Sequence, residues 1–167
     1  MNATLDGWNK TRPMPQQRRK GQKLLIARVL SGFLPRWGHS AFPLFVRGEN
    51  HLRKGGVLDA LSRLGLSCVD RWELPDIIAY SEMKNWLFLI EAVHSSGPIS
   101  PVRLLELQRL TVACTADIVY VTAFLNRDAF RKFAPEIAWE TEVWIADAPD
   151  HLVHFDGAKF LGPYKST

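Results

Sequence analysis

Two apolar runs separated by a short polar turn constrain the fold of this chain more than any other feature. Residues 74–80 (LPDIIAY) and 86–100 (WLFLIEAVHSSGPIS) are rich in Ile, Leu and aromatic residues, which is typical of buried strands. The intervening SEMKN contains no residue that requires burial, so the pattern predicts a β-hairpin. If residues 82–85 form a four-residue loop, Ser81 lies opposite Trp86.

That register places Asp76 directly opposite Glu91. Opposed residues on one face of an antiparallel pair have Cβ atoms about 5 Å apart. Two carboxylates at this distance in an apolar setting repel each other and lose hydration, so one must be protonated or a cation must lie between them. Hard oxygen ligands with no Cys or His beside them suit Mg²⁺. The sequence therefore predicts a magnesium site at Asp76 and Glu91.

Composition limits the class of protein. With 167 residues, 47% of them hydrophobic, the chain has the size and composition of one globular domain. No apolar run reaches the ~20 residues that cross a bilayer, and the N-terminal segment lacks the apolar core of a secretory signal. The two cysteines, Cys68 and Cys114, have no CxxC spacing and favour neither a disulfide scaffold nor a zinc site. We therefore expect a cytoplasmic, reducing location and no membrane partner.

Positive charge is concentrated near the N-terminus. The net charge is +4, and residues 10–28 contain seven Lys or Arg and no acid. Such a segment favours a polyanion such as a nucleic acid, although a solvated helix face is the alternative interpretation. The candidate phosphate contacts are Arg18, Arg19, Lys20 and Lys23.

Helical and strand patterns alternate along the chain. Residues 1–15 predict a flexible arm and residues 16–167 a single domain with a basic N-terminal helix. In that helix Leu24, Leu25, Val29 and Phe33 have helical spacing, and Pro35 is expected to end it. The remaining pattern reads as a strand at 41–46, a helix ending at Gly65, the hairpin, a helix with Ser100 as N-cap, a strand at 116–124, a helix capped by Asn126, and edge strands of which the last turns at Asp156-Gly157.

This order of elements predicts an α/β fold, a mixed β-sheet flanked by helices on both faces. In the first of the edge strands, Glu140 and Glu142 alternate along one face, which predicts a solvent-facing row.

Several segments resemble one protein family. They are LPD, NWLFLIEAV with the following SGP, SP and R, then VTAF, FRKF, IAWETEVWIADAPDH, HFDG and FLGP. Over roughly residues 44–163 these resemble the BsuBI/PstI family of type II restriction endonucleases. That family is similar to the PD-(D/E)xK nucleases, whose shared core is a mixed sheet flanked by helices.

The resemblance implies Mg²⁺-dependent hydrolysis of DNA phosphodiester bonds, in a restriction or phage-defence role. Asp76 matches the Asp of PD, and Glu91 matches the acidic residue of (D/E)xK. The backbone carbonyl of Ala92 is implied as a further metal ligand. The rival interpretation is a degenerate nuclease fold that binds DNA or a protein partner without cutting.

The lysine of (D/E)xK would fall at position 93, where this chain has Val93. Arg103, in the first turn of the following helix, is the expected replacement because its long side chain could reach the scissile phosphate. Glu106, one turn further, is a candidate third catalytic carboxylate or simply the ion-pair partner of Arg103. Gln108 and His94 are weaker candidates for the role of the lysine.

The turn after Glu91 offers contacts to the DNA backbone through His94, Ser95 and Ser96, with a plain strand-to-helix loop as the alternative. The resemblance covers the catalytic half of the restriction enzymes, and only the arm and one basic helix precede it. We therefore expect weak sequence preference from this chain alone, or dependence on a homodimer or a DNA-reading partner.

Overall fold

A six-stranded mixed sheet forms the centre of the structure, a computed structural model that describes residues 16–49, 56–66, 73–94 and 96–155. In chain order the elements are α1 (Gln16–Arg28), a π-helical segment (Val29–Phe33), α2 (Leu34–Trp37), β1 (Phe42–Val46), α3 (Gly56–Arg63), β2 (Ile77–Ser81), β3 (Trp86–Val93), α4 (Pro101–Leu110), β4 (Asp117–Phe124), α5 (Arg127–Phe133), a 3-10 turn (Ala134–Glu136), β5 (Thr141–Ile145) and β6 (Leu152–Phe155). The predicted arm (1–15) and the turn at Asp156-Gly157 lie outside the described residues.

The strands lie in the order β1-β2-β3-β4-β5-β6. The β3/β4 and β4/β5 pairs are parallel, whereas the other three pairs are antiparallel. In the two central strands, β3 and β4, every residue after the first is buried. Their continuous apolar sequences follow from this burial, because a strand covered on both faces cannot expose alternate residues to water.

Helices cover both faces of the sheet. Phe88 and Ile90 of β3 pack in one cluster with Leu25, Val29 and Phe33 from α1 and the π-helical segment. The alternate β3 residues Leu87 and Leu89 pack in a second cluster with Leu61 of α3 and Leu107 of α4. This alternation confirms the predicted α/β fold class.

The first helix differs from the prediction in two respects. It does not end before Pro35, because the π-helical segment leads directly into α2, where Pro35 lies in the first turn, a position at which proline is tolerated. Leu24 is 48% exposed, whereas Ile26 is buried in its place. The buried stripe of the helix therefore follows residues 22, 25, 26, 29 and 33.

Helix α3 ends at Gly65, as predicted, through a Schellman motif. The Gly65 N–H donates to the carbonyl of Ser62 and the Leu66 N–H donates to the carbonyl of Leu61. Gly65 has a φ of +81°, and a Cβ there would lie 2.1 Å from the backbone oxygen of Ala113. Both the backbone conformation and the close approach require glycine.

Gly65→Ala should therefore lower the free energy of unfolding by at least about 2 kcal/mol, since the left-handed conformation and the backbone clash both penalise a side chain. Urea denaturation would measure the change. Gly56→Ala is the matched control, because a Cβ at Gly56 has no heavy atom of the described residues within 4 Å and the position is helical. A loss of stability equal in the two variants would contradict the assignment.

Candidate active site

The hairpin of β2 and β3 forms with the predicted register. Ser81 pairs with Trp86, and the pairing continues to Ile77 opposite Ile90. Asp76 comes directly before β2, so the next position of the same register lies at Glu91. Both carboxylates are buried, with 2% of Asp76 and 6% of Glu91 exposed.

Three donors hold the carboxylate of Asp76. Its Oδ1 accepts hydrogen bonds from Arg47 Nε at 2.7 Å and from Gln22 Nε2 at 3.1 Å. Its Oδ2 accepts the backbone N–H of Ala92 at 3.0 Å. The Arg47 N–H also donates to the Asp76 carbonyl at 2.7 Å, which fixes the end of β1 beside the carboxylate.

Arg103 binds Glu91 through two donors of one guanidinium. Its Nε and Nη2 lie 2.9 and 2.8 Å from Glu91 Oε1, and its Nη1 lies 2.8 Å from Glu106 Oε2. Burial acts to lower the pKa of Arg103, but Glu91 and Glu106 outweigh burial and raise it, so the guanidinium stays charged. Glu106 is the half-exposed ion-pair partner of Arg103, and its catalytic role stays a prediction.

The loop before α4 places Arg103. Ile99 is fully buried, its N–H donates to Thr122 Oγ1 at 3.2 Å, and its carbonyl accepts the Ala138 N–H at 2.9 Å. Ser100 then caps α4 by accepting the N–H of Arg103 at 3.3 Å, as predicted. Because the loop is fixed to β4 and to the segment before β5, the first turn of α4 lies beside Glu91.

Burial changes the acidity of Glu91. Burial, and then the neighbouring charge of Asp76, raise the pKa of Glu91 to about 7, although Arg103 and Arg47 act in the opposite direction. Two arginines therefore do not compensate the pair completely at neutral pH. Further positive charge beside Glu91 would stabilise its ionised form.

Val93, at the position of the motif lysine, is a core residue. It is 3% exposed and packs in a cluster with Phe124, Val143 and Ile145. His94 and Ser96 are exposed at the end of β3, Gln108 is exposed on α4, and Ser95 lies outside the described residues. A positive charge close to Glu91 is thus supplied by α4 rather than by the strand.

The basic residues of α1 are described in part. Lys20 and Lys23 are exposed, as a phosphate-contacting face requires. Arg18 and Arg19 lie within α1, but their side chains are outside the description.

The expectation that Glu142 faces solvent is wrong. Glu142 is 5% exposed, and its carboxylate contacts Nδ1 of His154, its cross-strand partner on β6. All five residues of β5 are buried, because this strand lies between β4 and β6 and shares its Glu142 face with Trp144, which packs against Phe33. Alternation alone could not reveal that both faces are covered.

Sequence reasoning missed two residues at the site, Gln22 and Arg47. The signal for Gln22 was present: it is a polar residue on the stripe that contains Leu25 and Ile26, three and four positions further on. Arg47 follows directly after β1, but no local pattern indicates that β1 pairs with β2 in a register that brings it to Asp76.

Over the part of the chain that the structure describes, no three His, Cys, Asp or Glu residues cluster as metal ligands. Within the same residues, no helix has the length and apolar character needed to cross a membrane.

Comparison with known proteins matches this arrangement to one family. The family model of the BsuBI/PstI restriction endonuclease domain matches residues 15–158, so the chain belongs to that family. The match begins just before α1, whereas the resemblance seen in the sequence began near residue 44. Helix α1 is therefore part of the family domain.

Individual proteins similar to this chain are also restriction enzymes. The chain is 43% identical over 142 residues to the type II restriction enzyme BsuBI of Bacillus subtilis, which covers 84% of this chain and 45% of that protein. It is 33% identical over 90 residues to the type II restriction enzyme AplI of Arthrospira platensis, covering 54% and 28% of the two chains. The solved structure of the SdaI restriction endonuclease matches with a TM-score of 0.72 and 38% identity over 87% of this chain and 46% of that one. The chain thus spans less than half the length of each of these relatives.

The raised pKa of Glu91 predicts how stability depends on pH without metal. As pH rises above 4.5 the unfolded chain ionises Glu91 while the folded protein keeps it neutral, so this residue's stabilising contribution is lost by about pH 7. At about 1.4 kcal/mol per pH unit, the loss is roughly 3 kcal/mol. Urea unfolding in a chelating buffer at pH 4.5 and 7.5 would measure it.

Glu91→Gln is the control, since a neutral amide of the same size cannot titrate. Between pH 4.5 and 7.5 the free energy of unfolding should fall by roughly 3 kcal/mol less in this variant than in the parent protein. Equal pH profiles for the variant and the parent protein would contradict the raised pKa.

Proposed function

We propose that this chain hydrolyses phosphodiester bonds in double-stranded DNA with Mg²⁺, as an endonuclease of a restriction or phage-defence system. The observation that carries the proposal is the buried pair of Asp76 and Glu91, held in register at the end of a hairpin in a BsuBI/PstI restriction endonuclease domain. The names of the relatives, which are type II restriction enzymes, support the same reaction.

The residues present fit a divalent magnesium ion. The Asp76 and Glu91 carboxylates are hard oxygen donors, and the raised pKa of Glu91 indicates that the pair still lacks positive charge. The Ala92 N–H points at Asp76, and in an extended strand the carbonyl of a residue points to the same side as its N–H. This supports the Ala92 carbonyl as a third ligand. Mg²⁺ commonly takes few protein ligands and completes its shell with water and substrate phosphate.

Held by Asp76 and Glu91, Mg²⁺ would supply neutralisation of charge on the phosphoryl oxygens and activation of a water molecule. Arg103 would supply a second positive charge from the first turn of α4. Its guanidinium presents a planar set of donors, and a phosphate group has the geometry to accept two of them. We infer that Arg103 holds Glu91 in the absence of DNA and contacts the scissile phosphate when DNA is bound.

The surface beside the carboxylates is suited to a DNA backbone. A Cβ at Gly21 would lie 2.1 Å from His94 Nε2, so α1 and the end of β3 lie next to each other here. Exposed Lys20, Lys23, His94 and Ser96 lie along these two segments. We propose that they contact phosphates and that sequence specificity comes from a homodimer or a DNA-reading partner.

A second candidate function follows from Val93. A nuclease domain without the motif lysine could bind DNA or a protein without cutting. Val93 is buried among apolar side chains, so position 93 supplies no charge in place of that lysine. Cleavage that depends on both metal and Arg103 would distinguish the first function from the second.

Asp76→Ala and Glu91→Ala should each lower the rate of DNA cleavage in Mg²⁺ by more than about a hundredfold, because each removes a metal ligand. Arg103→Ala should lower it by about a hundredfold, which is typical for the loss of one charge-stabilising donor. Plasmid linearisation by the purified chain, or by the chain with its partner, would measure these rates.

Lys84→Ala is the control for Arg103→Ala. Lys84 lies at the hairpin tip beside Trp86, 5.9 Å from its ring centroid, and Trp86 is roughly 16 Å along the strand from Glu91. Its removal should leave cleavage unchanged. Full cleavage by Asp76→Ala at normal Mg²⁺, or equal rates for the Arg103 and Lys84 variants, would disprove the proposed roles.

Replacing Arg18, Arg19, Lys20 and Lys23 by Gln should weaken duplex binding by the same factor on all sequences. Each phosphate contact that is lost should reduce the slope of log affinity against log salt by about 0.9, because one fewer counterion is released. Fluorescence anisotropy at several salt concentrations would measure the slope. A slope that does not change would show that α1 faces solvent or a protein rather than DNA.

A further inference from the structure

Gln22 is a buried polar residue in an otherwise apolar helix face. It is 8% exposed, and its neighbours on the stripe, Leu25 and Ile26, are core residues. Burying an amide without a hydrogen bond is unfavourable, so its partner is informative. That partner is Asp76 Oδ1, 3.1 Å from Gln22 Nε2 and 54 residues away in sequence.

The close approach of α1 to the hairpin makes this contact possible. A Cβ at Gly21 would lie 2.1 Å from His94 Nε2, so α1 runs directly against the side chain of His94, the residue after β3. Gln22, the next residue, is thereby brought within reach of the carboxylate.

The two oxygens of Asp76 have different surroundings. Oδ1 accepts two side-chain donors, Gln22 from one face of the sheet and Arg47 from the end of β1. Within the described residues, Oδ2 accepts the N–H of Ala92, the residue after Glu91. Oδ2 is therefore the oxygen directed toward Glu91 and the Ala92 backbone.

The carboxyl torsion of an aspartate is broad, so the plane of the group is set by the donors that hold its two oxygens. Arg47 supplies positive charge to the same oxygen from a partly exposed side chain. Gln22 is buried in a packed helix, and its neutral amide adds direction without adding charge.

We propose that Gln22 is a positioning residue which, together with Arg47, occupies Oδ1 of Asp76 and so directs Oδ2 to the divalent cation. This proposal deepens the proposed function and rests on it. It assigns to α1 a part in metal binding in addition to contacts with DNA.

Binding of Mn²⁺ to the full chain without DNA, followed by electron paramagnetic resonance, tests the proposal independently of cleavage. Gln22→Met keeps the size and helix propensity of the side chain but removes the donor. It should weaken Mn²⁺ binding about tenfold, as loss of a residue that orients a metal ligand commonly does. Lys84→Met removes a side-chain donor at the exposed tip of the hairpin, away from the carboxylates, and should leave the affinity unchanged.

Metal dependence of cleavage is the second measurement. Gln22→Met should need about ten times more metal for half-maximal cleavage, yet should approach the parent rate at saturating metal, because the ligand itself is intact. A purely structural role would lower thermal stability without moving the metal requirement. If Gln22→Met does not fold, Gln22→Asn, which withdraws the amide by one methylene, takes its place.

The two proposals fail in different ways. Parent-like Mn²⁺ affinity in a folded Gln22 variant would overturn the positioning role alone. Parent-like affinity in Asp76→Ala, or no Mn²⁺ binding by the parent chain, would overturn the metal site and with it the proposed function.

Discussion

Repulsion between two buried carboxylates is the constraint on which the rest of this site depends. The register of β2 and β3 brings Asp76 and Glu91 together, and burial removes the water that would otherwise screen them. A pair of this kind is stable only with donors and positive charge close by, because removing one partner of a buried charge costs several kcal/mol. Arg47 and the Ala92 N–H stabilise Asp76, while Arg103 stabilises Glu91.

These donors come from different layers of the fold. Arg47 follows the edge strand β1, Gln22 belongs to the helix layer on one face, and Arg103 belongs to α4 on the other. The carboxylate pair thus ties both helix layers to the same end of the sheet. A metal ion at this position would compete with the arginines for carboxylate oxygens, and a DNA phosphate would offer those arginines a new partner. If the arginines exchanged the carboxylates for a DNA phosphate in this way, every charge at the site would have a partner both with and without substrate.

Features set by neighbouring residues were predictable from the sequence. The hairpin register followed from the length of the SEMKN turn, and the Ser100, Asn126 and Gly65 caps followed from residue types with known backbone preferences. Features set by distant contacts were not. Gln22 and Arg47 meet Asp76 across 54 and 29 residues, so their roles depend on how the layers pack. The same reason explains the buried Glu142, since the pattern of one strand does not show what covers its second face.

Val93 and Arg103 show that the positive charge beside Glu91 comes from a helix rather than from β3. A lysine on β3 would extend from a position that here closes a cluster of Phe124, Val143 and Ile145, so the strand is committed to packing. Arg103 instead reaches Glu91 from a helix whose first turn is fixed by the Ile99 backbone and the Ser100 cap. Because a guanidinium can contact Glu91, Glu106 and the Glu73 carbonyl at once, it is held in one orientation more firmly than an ammonium would be. An arginine on an anchored helix can therefore supply fixed positive charge beside Glu91 while the strand position serves the core.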